Sequence, residues 1–309
     1  MKRKRALVLL LLLITVYCGF TQQRVDTNYI KQYEQRQTIT VFTGRRAIQI
    51  KHDGRIIEPN SPLNLGLGYS LQHPKINFEA SLVGIRLSNR HKYGKTSVLD
   101  FEAHKYGRRL VIDAFFQRYH GFYHNDLPTK IITQYPNLSI QRIGGEATYL
   151  FNHKRFSAKA AFQQKEIQLT SAGSFVLGGG IYHTRLNNIN EIGITGRNNF
   201  VTMQVGLGAG YAYSWVIKKR WQLSGIATMG LNAGNDWREF KQLHLKLYPR
   251  VFARTSLGYI QPAWGLYFST IIHNDKYYQQ QHTKMDLTTL NFQLAYIRHF
   301  NSLFKKKKA

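Results

Sequence analysis

Val201-Thr202-Met203-Gln204-Val205-Gly206-Leu207-Gly208-Ala209-Gly210-Tyr211-Ala212-Tyr213-Ser214-Trp215 decides how the rest of the chain is read. Its odd positions are apolar and end in the aromatic cluster Tyr211, Tyr213 and Trp215, while its even positions are small or polar. Side chains of a β-strand alternate faces with period two, so a strand built from this stretch meets two different solvents. A strand crossing a membrane needs about 9–11 residues. This run supplies them, with aromatic residues where such strands leave the hydrocarbon. A soluble antiparallel sheet produces the same alternation, so the weight rests on repetition.

The pattern recurs along most of the chain. Leu63, Leu65, Leu67, Tyr69 and Leu71 alternate with Asn64, Gly66, Gly68, Ser70 and Gln72. Phe156, Ala158, Ala160 and Phe162 alternate with Ser157, Lys159, Ala161 and Gln163, and Leu247, Val251 and Ala253 face away from Lys246, Arg250 and Arg254. Strands are predicted over 62–72, 75–87, 96–104, 109–119, 139–151, 155–166, 173–185, 200–217, 220–233, 243–258, 263–273 and 287–300, with a weaker one over 39–51. The fold class is all-β: an antiparallel transmembrane β-barrel of the bacterial outer membrane with about 12 strands, within a range of 10–14. Lipid forbids open sheet edges, so the strands must close on themselves.

The N-terminus supports that location. Lys2, Arg3, Lys4 and Arg5 precede an apolar run from Ala6 to Tyr17, with Gly19 and Thr21 placed for cleavage before Gln22, as in a secretory signal peptide. The run is short for a membrane-spanning helix. The single cysteine, Cys18, follows Tyr17, where a lipidated cysteine would need a small residue, so it is read as removed with the leader. The mature chain then has no disulfide or thiolate chemistry. The expected divisions are a signal peptide (1–21), a periplasmic lead-in with a possible first strand (22–61), the barrel (62–304) and a basic tail (305–309).

The full chain carries 43 Lys+Arg against 16 Asp+Glu, a formal net charge of +27, and losing the four leader cations leaves +23. A sequence pI near 10.2 raises nucleic acid as a partner. No basic helix, finger or aromatic RNA-binding signature accompanies it, so nucleic acid is not expected. The expected partners are outer-membrane lipid, lipopolysaccharide and the barrel assembly machinery; the sequence names no other protein.

Charged residues predicted on inward faces are Glu79, Asp100, Glu102, Arg109, Asp113, Lys159, Lys165, Lys246, Arg250 and Arg254. Charges enclosed in a barrel need partners, so a lumen braced by ion pairs is expected, and a selectivity lining is the rival. Ser171, Ser174 and His183 lie close in sequence, but no G-x-S-x-G elbow frames them. His120 and His124 lack the further ligands of a metal site. No catalytic, cofactor or metal residue is assigned. The glycines at 178–180 and at 206, 208 and 210 fit close packing inside a barrel.

The segment from Ile167 to Gly179, centred on Ser171, Ala172, Gly173, Ser174 and Phe175, resembles the central motif of an uncharacterised family, domain of unknown function 4421. Supporting stretches are Glu58-Pro59-Asn60 before Leu65-Gly66-Leu67-Gly68, Gln117-Arg118-Tyr119-His120-Gly121-Phe122-Tyr123, and Phe156-Ser157. The resemblance implies an outer-membrane barrel found mainly in Bacteroidota, with no established activity. The expected role is structural, transport or binding, without catalysis or cofactor. The alternative is a barrel enzyme that modifies lipid or lipopolysaccharide.

Overall fold

Every strand of the main sheet pairs antiparallel, and the pairing closes on itself. The computed structural model describes residues 25–72, 77–194, 198–236, 246–278 and 284–301; the predicted leader and the basic tail lie outside them. In chain order the strands are β1 (Ile30–Gln32), β2 (Gln37–His52), β3 (Arg55–Glu58), β4 (Leu63–Gln72), β5 (Asn77–Leu87), β6 (Ser97–Tyr106), β7 (Leu110–Asn125), β8 (Ile132–Leu150), β9 (Glu166–Gln168), β10 (Ala172–Asn187), β11 (Asn199–Ile217), β12 (Trp221–Asp236), β13 (Lys246–Ile260), β14 (Trp264–Tyr278) and β15 (Lys284–Phe300). A helical turn, α1 (Arg90–Tyr93), follows β5, and a buried one, α2 (Ala158–Phe162), precedes β9.

Ten strands form the closed ring: β2, β15, β14, β13, β12, β11, β10, β8, β7 and β3, with β3 returning to β2. The closure through β3 is short, Ile57 and Glu58 against His124 and Tyr123. Beyond it β2 pairs with β4, β4 with β5, and β7 with β6, so two branches descend side by side from the bridge. β1 and β9 form a separate two-stranded ribbon.

The barrel is inverted relative to a soluble one. On β11 Leu207, Tyr211 and Trp215 are exposed while Gln204, Ala212 and Ser214 are at most 1% exposed. The same holds on β12, where Leu223, Met229 and Leu231 face out and Ser224, Thr228 and Asn232 face in. A belt of outward apolar side chains around polar inward ones is the polarity of a barrel standing in lipid. At one end, Trp221 and Tyr259 (ring centroids 4.9 Å apart), Trp264 (5.8 Å from Tyr259) and Tyr296 (6.0 Å from Trp264) make an aromatic rim. That end carries the short links 107–109, 218–220 and 261–263.

Two sequence expectations change here. The alternation over 155–166 predicts a strand, but the chain forms α2 and β9. Ser157 caps the helix, its Oγ accepting from the Ala160 amide at 3.1 Å. Ala158, Ala160, Ala161 and Phe162 are all buried, because this turn is enclosed on every side and a short all-round apolar helix imitates alternation. Conversely, the weak 39–51 segment is β2, a full 16-residue strand that seals the ring against β15. The stretch expected as a lead-in with a possible first strand thus supplies β1 to β3.

Candidate functional site

The lumen is stratified. At the long-loop end Ile48, Ile50, Ile57, Leu138, Ile140, Leu186 and Leu287 form an apolar cluster, joined by Ile189 and Ile192 from a 3-10 turn folded over them. At the short-turn end Phe156, Ala158, Ala161 and Phe162 pack against Tyr106, Val111, Leu150, Val176 and Phe252 of the wall. This second cluster is a plug. Ala161 carbonyl oxygen accepts from Ser256 Oγ at 2.6 Å and from Tyr267 hydroxyl at 3.0 Å. Gln168 Nε2 donates to the carbonyls of Arg155 (2.6 Å) and Thr170 (3.0 Å), and Glu166 pairs with Arg108.

Between the two clusters lies a belt of ion pairs. Arg142 Nη2 on β8 meets Asp275 Oδ2 on β14 at 2.8 Å, and Arg250 on β13 pairs with Glu146 on β8. Arg254 on β13 donates to Asp113 on β7 at 3.0 Å and to Tyr106 hydroxyl at 2.7 Å. His104 stands between Asp113 (2.5 Å) and Glu102 (3.4 Å), and Glu102 also faces Arg46 at 3.5 Å. Asp100 accepts from Tyr119 hydroxyl at 2.7 Å. In the ring β8 and β14, like β7 and β13, lie five strands apart, so these pairs cross the lumen rather than run along the wall. The glycines permit the crossing: a Cβ on Gly206 would stand 1.9 Å from Asn232 Oδ1, and Asn232 Nδ2 in turn donates to Asp275 at 3.3 Å.

Of the predicted inward charges, Asp100, Glu102, Asp113, Arg250 and Arg254 stand in this belt. Lys159 belongs to the plug, 4.0 Å from Glu166, and Lys165 lines a cavity beside it. Lys246 is half-buried at the long-loop rim. Arg109 is a correction: it is exposed in the link between β6 and β7, where no alternation governs direction. The Glu79 side chain lies outside the described residues. The reading missed Arg46, His104, Arg142, Glu146, Asp275 and His273, which stands 3.2 Å from Asp275. Arg142 and Glu146 had a signal, two charges on the face that carries Leu138, Ile140 and Leu150. Asp275 had none, because β14 runs five residues past its predicted end at 273.

The family-like motif opens β10 at the plug. Ser171 Oγ accepts from the Val216 amide at 2.9 Å, and buried Ser174 accepts from the Asn152 amide at 2.8 Å. His183 is nine residues further along β10 and on the opposite, outward face, so it does not meet either serine. His120 is exposed, and His124 contacts the Ile56 carbonyl oxygen at 2.8 Å. Gly121 between them sits at φ +87° in a bulge, where a Cβ would lie 2.3 Å from the Lys95 carbonyl oxygen. Among the described residues no group of three or more His, Cys, Asp or Glu is placed to hold a metal.

Two cavities, of about 420 and 410 Å³, adjoin the belt and share Phe42, Arg46, Glu102, Asn291 and Gln293. The first also touches His104, Lys165 and Arg254. The second reaches Asp100, Tyr119 and, on the outer face of β6, Phe101.

Closed ring, inverted polarity and plugged, ion-paired interior define a membrane-type β-barrel with a filled lumen. Residues 24–300 match the family model described as domain of unknown function 4421, and the chain belongs to that family. No relative is found among curated proteins. Among solved structures, the chain is similar to the outer-membrane protease OmpT from Escherichia coli (8% identity, TM-score 0.33, covering 91% of this chain and 100% of that one). It is also similar to a bacterial polysaccharide outer-membrane secretin (6%, 0.38, 86% and 99%) and to the Pseudomonas putida toluene transporter TodX (8%, 0.29, 86% and 90%). Likenesses this weak carry no inference about activity.

Proposed function

We propose that this chain is a bacterial outer-membrane barrel, of the Bacteroidota type its family resemblance implies, that binds membrane components through a closed, charged interior and does not conduct or catalyse. Cleavage near Gln22 and insertion by the barrel assembly machinery belong to the same reading. The observation that carries it is the pairing of an outward apolar belt with a lumen filled at both ends and braced across its middle. Opposed charges spanning a narrow lumen oppose free ion flow, since each charge is already neutralised by a protein partner.

Basic residues beside the aromatic rim support lipid as the partner. Lys218, Lys219 and Arg220 link Ile217 to Trp221, so three cations sit just past aromatic side chains suited to the headgroup level. The test is conductance of the refolded mature chain in a planar bilayer. Silence is expected, with current appearing once 152–168 is replaced by a short flexible link. A steady open-pore current through the intact chain overturns the reading. Lipid hydrolysis lost in Ser171→Ala or Ser174→Ala would restore the enzyme alternative.

A further inference from the structure

Among the described residues β5 pairs only with β4, and β6 only with β7. Below the short β3 bridge the two branches thus face each other with no ladder between them. Hydrocarbon offers no partner for unpaired backbone amides and carbonyls, so a spanning sheet does not leave an edge open to lipid without compensation. The cavity linings point to the same place. Both linings run from β2 and β4 (Arg46, Asn64, Gly68 and Ser70 among them) to β6 (Asp100, Glu102 and His104). The space therefore lies directly behind the gap between the two branches.

We propose that this seam is a lateral window, and that the cavity behind it takes the headgroup of an acidic amphiphile drawn from the bilayer, its acyl chain leaving past Phe101. The assignment rests on the membrane reading above. Chemistry within the cavity selects the occupant. The 420 Å³ chamber is lined by Arg46, Lys165, Arg254 and His104 against one carboxylate, Glu102, together with Thr38, Thr40, Ser70 and Gln293 as hydrogen-bonding groups. Arg254 and His104 are held by Asp113 and Glu102, so the headgroup meets the wall at Arg46, 36% exposed beside Glu102, and at Lys165, and a phosphate or carboxylate suits these cations and the hydroxyls around them. Phe101, 64% exposed at the mouth, gives the chain an apolar exit. Elsewhere the belt is packed around its ion pairs, so the room in this part of the lumen lies in this chamber and its 410 Å³ neighbour.

The experiment places a photo-crosslinking side chain at Gln293, an inward position that lines both cavities. The full mature chain is refolded in vesicles of mixed phosphatidylethanolamine and phosphatidylglycerol, and adducts are read by mass spectrometry. A window yields phospholipid adducts at this lumen position, enriched in phosphatidylglycerol over its share of the vesicle. Lys165→Gln, which leaves the ion-pair belt intact, lowers that enrichment by roughly threefold, the size of one half-exposed charge interaction. A probe at Asn291 repeats the measurement if the first variant does not fold. Absence of lipid adducts at both positions overturns the window, and adducts in the bulk lipid ratio overturn the acidic headgroup. A steady bilayer current with lipid adducts present would instead overturn only the closed-lumen reading.

Discussion

Arg142 on β8 and Asp275 on β14 meet at 2.8 Å across the middle of the barrel, with side chains only 2% and 1% exposed. Arg142 also donates to Thr289 Oγ1, and Asp275 accepts from Asn232. This contact ties opposite walls of the ring together and is shielded from both water and lipid.

Breaking the pair from one side leaves a charge without its counterion. Arg142→Met or Asp275→Asn is expected to destabilise the barrel by about 3–5 kcal/mol, and the double variant by clearly less than the sum. Urea unfolding in lipid vesicles, followed by tryptophan fluorescence, measures all three. Additive losses would mean that the two side chains do not act as a pair.

The outward belt has a position-dependent consequence. Leu207→Arg places a cation against hydrocarbon and is expected to lose roughly 2–4 kcal/mol near the midplane. Thr40→Lys, inward at the 420 Å³ cavity, is expected to fold in full yield. Gln204, though inward, is 1% exposed and accepts from Asn232 at 3.0 Å, so arginine there is expected to fail for want of space. Folding yields in vesicles compare the three. Equal yields for Leu207→Arg and Thr40→Lys would cancel the inside-outside assignment.

Lys218 and Lys219 both adopt left-handed backbone, φ 50° and 58°, a conformation that costs an L-residue roughly 1–2 kcal/mol. Lys218→Gly and Lys219→Gly are expected to raise unfolding stability in neutral vesicles while weakening binding to phosphatidylglycerol. Salt should weaken the wild-type binding too, since exposed charges are screened over about 8–10 Å at physiological ionic strength. Unchanged lipid affinity in both variants would assign the lysines to the turn alone.

His153, buried in the link between β8 and α2, is held below the ordinary imidazole range by burial, with Arg109 adding to the effect. The folded form therefore binds fewer protons here than the unfolded chain. Its contribution is complete above the unfolded value of about 6.5 and falls away as pH drops below it. Protease cleavage within 151–157 should accelerate below that pH in the wild type, and His153→Gln should flatten the dependence. A flat wild-type profile would remove His153 as the cause.

The all-β strands and their two-faced character were legible in the sequence because alternation is local, and repetition, aromatic strand ends and the leader gave the sense of the faces. Gln204 and Leu207 take opposite faces whatever strand lies beside them, and the solvent each prefers is written in its side chain. The belt was only half legible: Glu102, Asp113, Arg250 and Arg254 advertise an inward charge by strand parity. Their partners lie up to 148 residues away, as from Tyr106 to Arg254, and pairing across a lumen is set by strand order and register. Tertiary structure alone decided three things. It turned 155–166 from a strand into a plug, because enclosure buries all sides of α2. It closed the ring through β2, whose weak pattern is completed by β15. And among the described residues it left no ladder between β5 and β6, because a missing ladder is a relation between strands that no single strand's residues encode.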